Sequence, residues 1–313
     1  MLKCSPMFTL AELEPLKAMA TNEKAAVITF IAPDKLIRLS PASYSSTSIS
    51  TNDVYRLEEA LGEHKGQIDK AFLLLHSPGG NLSSSYNIAR FLRKKFKFLH
   101  VFVPYEAASG ATLMSLAGNK LTLGELGYIT PIDPQVRYKG EWVSSYGVVE
   151  KVNDLERRFK KLAPEEMPIP WKQMVERLDL VLYREMETVV WEAQSYAMKL
   201  LESAKYPREL GVAIAAKLAR NTFSHGHCFD SDACREMGLN IDDSTAAIEH
   251  LSKMKALIHI ANDKDIEIAT HYIDVVLPGI GAVTGDDQLP TEGTPQRTAS
   301  SAVLRGRSAT VQG

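Results

Sequence analysis

The chain has 313 residues, 45% of them hydrophobic and 24% charged, with a formal net charge of -2 at pH 7. That length can bury a sizeable core, and that composition lies far from disordered or fibrous sequence. The near-neutral balance lacks the basic footprint of a nucleic-acid binder, so no nucleic-acid partner is expected.

Residues 1–24 read as an N-terminal extension, followed by one domain over 25–278. Ala25 to Ala32 and Lys70 to Leu75 are short apolar runs ended by turn residues, the pattern of strands buried on both faces. Between them, Asn52 to Glu63 carries Val54, Leu57, Ala60 and Leu61 at helical spacing. Asn81 can cap a helix through Phe96, and its basic end (Arg93, Lys94, Lys95) complements the helix dipole. Phe98 to Val103 is the next strand, followed by a helix from about Ser109 to Ala117 and a short strand at Leu121 to Leu123. The turn-rich stretch from Gly124 to Gln135 closes a βαβ-type half.

From about residue 145 the sequence is mostly helical. Apolar residues recur from Trp171 to Leu201 in steps of three and four, which predicts one long amphipathic helix. So long a stripe is expected to face another subunit in part, with packing inside the chain as the competing reading. Further helices are predicted over Pro207 to Arg220 and Ser231 to Met237, the latter capped by Gly238, and a last helical region reaches about Leu277. Residues 279–313 lack aromatics and periodicity and are expected to form a disordered tail.

The three cysteines, Cys4, Cys228 and Cys234, are too few for a disulfide framework, which favours a reducing, cytoplasmic setting. No signal-peptide core follows the first residues, and Ala25 to Pro33 is too short to span a bilayer, so no transmembrane segment is expected.

Two glycine motifs stand where strands give way to helices. Ser77-Pro78-Gly79-Gly80 lets the backbone approach a ligand and frees N–H groups for developing negative charge, although Pro-Gly-Gly is also an ordinary turn. Ala107 to Thr112 places the hydroxyl of Ser109 among small residues, with the Gly110 N–H as a second oxyanion donor. A serine N-cap beside a small-residue packing face is the bland alternative. His225, His227, Cys228 and Cys234 fit no common zinc spacing, and neither metal nor cofactor is expected.

Ser77-Pro-Gly-Gly80, Ala108-Ser109-Gly110, Ile132-Asp133-Pro134-Gln135 and the later Ser224-His225-Gly226 with Gly238-Leu239 together resemble the serine dehydrogenase proteinases. These are relatives of the Clp proteolytic subunit and of signal peptide peptidase A. The resemblance spans roughly Ala25 to Ile241 and is strongest from Phe72 to Gln135. It implies an α/β Clp/crotonase-like fold with parallel βαβ units and a helical C-terminal part, hydrolysis of peptide or protein substrates through an acyl-enzyme, and a homo-oligomer. By the resemblance Ser109 is the nucleophile, and Gly79, Gly80 and Gly110 belong to the oxyanion segments. Clp subunits carry a histidine base where this sequence has Asp133, which leaves Asp133 a supporting, turn-fixing role and favours a lysine base. Among Lys139, Lys151, Lys160, Lys161 and Lys172, Lys151 becomes the candidate, because Tyr146, Val148, Val149 and Val152 give it apolar neighbours at the start of a helix, whereas Lys139 sits in a polar turn and Lys160 and Lys161 in a charged run; a surface lysine paired with Glu150 or Asp154 is the competing reading. A catalytically silent scaffold of the same fold and a crotonase-type acyl-CoA enzyme are the rival functions.

Overall fold

Strands made largely of apolar residues build the centre of the molecule, as burial of a parallel sheet on both faces requires. The computed structural model describes residues 8–32, 48–62, 68–138, 140–166, 168–177, 179–220, 224–263 and 271–278. The elements run α1 (Glu14–Glu23), β1 (Ala26–Ile31), α2 (Thr51–Gly62), β2 (Lys70–His76), α3 (Leu82–Lys95), β3 (Phe98–Val103), β4 (Glu106–Ala107), α4 (Gly110–Ser115) and β5 (Lys120–Leu123). They continue with β6 (Tyr128–Ile129), β7 (Gln135–Tyr138), β8 (Glu141–Ser144), α5 (Ser145–Phe159), α6 (Ile169–Glu176), α7 (Leu180–Ser203), α8 (Arg208–Ala219), α9 (Ser231–Met237), α10 (Thr245–Asp263) and β9 (Tyr272–Val276).

The main sheet has the order β5-β3-β2-β1-β9, with the first four strands parallel and β9 antiparallel on the edge of β1. Every residue of β1 is buried, because alternate side chains serve two cores. Ala26, Ile28 and Phe30 join Leu73, Leu75, Val101 and Val103 beneath α2, α3, α4, α7, α8 and α9. Val27, Phe72, Leu74 and Phe102 face the opposite layer, where α1 contributes Leu16, Met19 and Ala20 and α10 contributes Leu251, Met254 and Ile258. Each such aliphatic or aromatic side chain stabilises the fold by about 1.5–3 kcal/mol.

Two expectations are corrected. The stripe from Trp171 to Leu201 is not one helix: α6 ends at Glu176 and α7 restarts at Leu180, because the Asp179 carboxylate accepts from the N–H groups of Val181 and Leu182 at 3.0 and 3.1 Å. Met186, Val190, Ala193 and Ala197 of α7 are buried within this chain, in a helix that packs on α5 and α8, whereas Leu180, Val181 and Trp191 remain exposed. The last helical region does not reach Leu277 either. α10 stops at Asp263, and Tyr272–Val276 is a strand, since its Ile and Val residues pair with β1 in the register Val27↔Val276. The tail at 279–313 lies outside the described residues. Among the described residues no helix is long and apolar enough to cross a membrane.

One buried group gives the fold a pH dependence. His100 stacks on Phe102 at 4.1 Å between ring centroids, and its Nε2 lies 2.8 Å from Thr122 Oγ1. The Thr122 hydroxyl donates to the Asp242 carbonyl, so it accepts from His100 Nε2–H. Burial, partly opposed by the Asp242 charge, lowers the His100 pKa to about 4. The unfolded chain therefore takes up a proton first, and stability falls as pH drops from the ordinary histidine range toward that value. Between pH 7 and 5 the wild type is expected to lose on the order of 2 kcal/mol more than His100→Gln, measured by urea unfolding at both pH values.

Candidate active site

The ends of β2, β4 and β6 lie side by side and carry both glycine motifs into one place. β4 pairs with β6 in parallel, and Ser77 bridges to Ala107. The Ser77 N–H donates to Glu106 O and the Ala108 N–H donates to Ser77 O, both at 3.0 Å. This splice sets the turn at Ser77–Gly80 directly against the residues around Ser109. A methyl group on Gly79 would meet the Gly110 nitrogen at 2.8 Å and Ser109 Cβ at 2.9 Å, and Gly79 also has φ 93°. Only glycine fits there.

Ser109 is half-buried and stands at the head of α4 with φ 48° and ψ -113°, one of three non-glycine residues with positive φ among those described. Such a conformation costs on the order of 1–3 kcal/mol and persists only when its surroundings over-determine it. Here two threonines do so. The Ser109 N–H donates to Thr130 Oγ1 at 2.8 Å, the Thr130 N–H donates to Thr112 Oγ1 at 3.0 Å, and the Thr112 hydroxyl donates to Ala107 O at 2.6 Å. The Ser109 backbone is thereby held in a closed circuit while no described group hydrogen-bonds its hydroxyl. The amides of Gly80 and Gly110 also find no acceptor among the described residues. Thr112 and Thr130 have no sequence signal of their own; each reads as an ordinary helix or turn threonine.

Asp133 lies four residues past Ile129, with its carboxylate almost wholly buried. It accepts from Gln135 Nε2 at 2.8 Å and from Ser144 Oγ at 2.9 Å, and its other oxygen is 2.8 Å from His225 Nδ1. Ser144 is the N-cap of α5, so the Asp133 turn anchors that helix. The partnership with His225 spans 92 positions of sequence, and no local motif announces it. Lys151 projects from α5 with 44% of its side chain exposed, 3.7 Å from Asp154 Oδ2 and 4.5 Å from the centroid of Trp171. It is not hydrogen-bonded to Ser109 in this arrangement. Cys234 is buried in the core, and burial reinforced by the Asp230 carboxylate pushes its thiol up to about 12. It is a neutral packing group.

The uncharacterized protein MJ0137 of Methanocaldococcus jannaschii is 25% identical over 235 residues, covering 74% of each chain. A second protein of that organism, MJ1495, is 24% identical over 170 residues, 54% of this chain and 51% of its own. Two solved structures of a 1510-N membrane-bound stomatin-specific protease also align. One is a serine-to-alanine mutant, with TM-score 0.41 and 10% identity over 71% of this chain and 91% of that one. The other, a lysine-to-alanine mutant in complex with a substrate peptide, has TM-score 0.40 and 14% identity over 66% and 75%. The model of the ClpP-like SDH-type serine proteinases matches residues 7–169. With more than half of its length matched, the chain belongs to the ClpP-like SDH-type serine proteinase family.

Proposed function

We propose that the protein hydrolyses peptide bonds through an acyl-enzyme formed on Ser109. The observation that carries this reading is the backbone of Ser109 itself: a serine held at φ 48° against Gly79, with its hydroxyl unengaged by any described residue. Strain of this kind at a strand-to-helix turn serves to present a side chain. Attack by Ser109 Oγ on a carbonyl carbon would move charge onto the carbonyl oxygen. The N–H groups of Gly80 and Gly110 supply the donors for that charge, as the sequence motifs suggest. Water then releases the acyl group.

The proposed base is Lys151, carried on the helix whose N-cap, Ser144, donates to Asp133. A second reading is favoured by one contact, the 2.8 Å bond between Asp133 and His225 Nδ1, which orients an imidazole as a buried carboxylate does in a Ser-His-Asp triad. Self-assembly belongs to the same proposal, with the exposed Leu180, Val181 and Trp191 apolar enough to form its contact.

The test is covalent. A fluorophosphonate is expected to modify the wild type at Ser109, identified by peptide mass spectrometry. Modification at Ser77 or Ser115 instead, or none at all, would sink the reading and leave a silent scaffold or an acyl-CoA enzyme in its place.

A further inference from the structure

A Ser-His-Asp array lies buried behind the oxyanion turn. Ser77 Oγ is 2.8 Å from His271 Nε2, and His271 Nδ1 is 3.5 Å from Asp53 Oδ1, an ion-pair distance rather than a full hydrogen bond. Ser77, His271 and Asp53 are all at most 2% exposed, so the array cannot meet a substrate. It is firmly built. The imidazole lies against Phe30 at 4.4 Å between centroids, Arg56 Nη1 donates to the His271 carbonyl at 2.5 Å, and Asp53 accepts from the N–H and hydroxyl of Ser50 at 2.8 and 2.9 Å. Burial alone would raise the Asp53 carboxyl; the neighbouring His271 and the Ser50 donors outweigh it and keep its pKa below the ordinary value.

The array ends on the site. Ser77 Oγ also accepts the N–H of Gly79 at 3.1 Å, which takes that amide out of reach of any ligand. A serine hydroxyl has one proton and two lone pairs. When the proton goes to His271 Nε2, a lone pair is left aimed at Gly79, and the carboxylate of Asp53 favours the tautomer with its proton on Nδ1. Without the imidazole the hydroxyl rotates freely and the Gly79 N–H loses its fixed acceptor; at a glycine with φ 93° the Pro78–Gly79 peptide can then turn, although the Gly79 carbonyl still accepts from the Ile49 N–H at 2.7 Å.

We propose that His271 is a positioning residue for the oxyanion turn: through the Ser77 hydroxyl it locks the Gly79 amide inward, so that the Gly80 amide is the one presented beside Gly110. The lock rests on the reading of Ser109 as the acylated residue. It also ties β9, the C-terminal edge strand, to the chemistry at the end of β2.

The limiting rate of fluorophosphonate labelling, and the concentration that half-saturates it, separate positioning from binding. Ser77→Ala and His271→Leu are each expected to lower the limiting rate by about 10–100-fold with half-saturation within about twofold, as for a misplaced oxyanion donor. The double variant is expected to be no slower than the worse single, since both cut the same chain of contacts. His271→Gln, whose amide reaches the Nε2 position, is expected to restore most of the rate. Hydrogen exchange at the Gly79 amide should be slow in the wild type and fast in Ser77→Ala, a readout that general loosening of the fold would not confine to one residue. If His271→Leu does not fold, Ser77→Ala carries the test alone. Wild-type labelling at Ser109 with Ser77→Ala equally fast, or additive losses in the double variant, would overturn the lock alone. A wild type that is not labelled at Ser109 overturns the reading of Ser109, and the lock with it.

Discussion

Ser109→Ala is expected to lower peptidase activity by at least about 10⁴-fold and to abolish fluorophosphonate labelling, because on the proposed reading the acyl-enzyme forms on the Ser109 hydroxyl. The fold should survive. Its side chain is bonded to no described group, and the circuit through Thr130 and Thr112 uses only the backbone N–H of Ser109, which alanine keeps. Ser109→Gly sharpens the test. Glycine adopts φ 48° without the steric cost that serine bears, so this variant is expected to be as inactive as Ser109→Ala yet more stable than the wild type by about 1 kcal/mol. Urea unfolding beside an activity assay measures both. A wild type less strained than its glycine variant, or an active Ser109→Ala, would remove the nucleophile from this turn.

Much of this site was legible because the relevant signals are local. A strand-turn-helix junction needs glycine where two backbones touch, and both Gly79 and the small residues around Ser109 record that need within a few positions. The strands were legible for the same reason: runs such as Ala25 to Ile28 are apolar on both faces because two cores use them. What stayed hidden depends on partners far away in sequence. His225 stands in a motif that the resemblance marks, yet nothing local pairs it with Asp133 until the fold sets the two together, and His271 has no sequence signal until β9 pairs with β1 and delivers it to Ser77. The break between α6 and α7 was missed for a different reason. Asp179 is a helix-compatible residue whose capping role only the local geometry reveals, and the apolar spacing runs on across it.

Substitution of Lys151 is expected to have the second large effect, and the choice of substituent decides what it means. A general base must accept the serine proton, which an amine can do and a guanidinium cannot. In the structure the ammonium rests over Trp171 and beside Asp154, contacts that an arginine would make at least as well. Lys151→Arg therefore keeps the cation and removes the base, whereas Lys151→Met removes both. If Lys151 takes the proton, both variants lose about 10³-fold or more in acylation rate while folding normally. If it serves only as a surface contact, Lys151→Arg is as active as the wild type. His225→Gln and Asp133→Asn complete the comparison. With Lys151 as the base, His225→Gln is expected to stay within about tenfold of the wild type, the range of a residue outside the proton transfer. With His225 as the base, loss of its Asp133 partner would cost about 10⁴-fold, because an asparagine favours the wrong imidazole tautomer. An active Lys151→Arg together with an inactive Asp133→Asn would move the base to His225; the reverse pattern, which we expect, keeps it on α5.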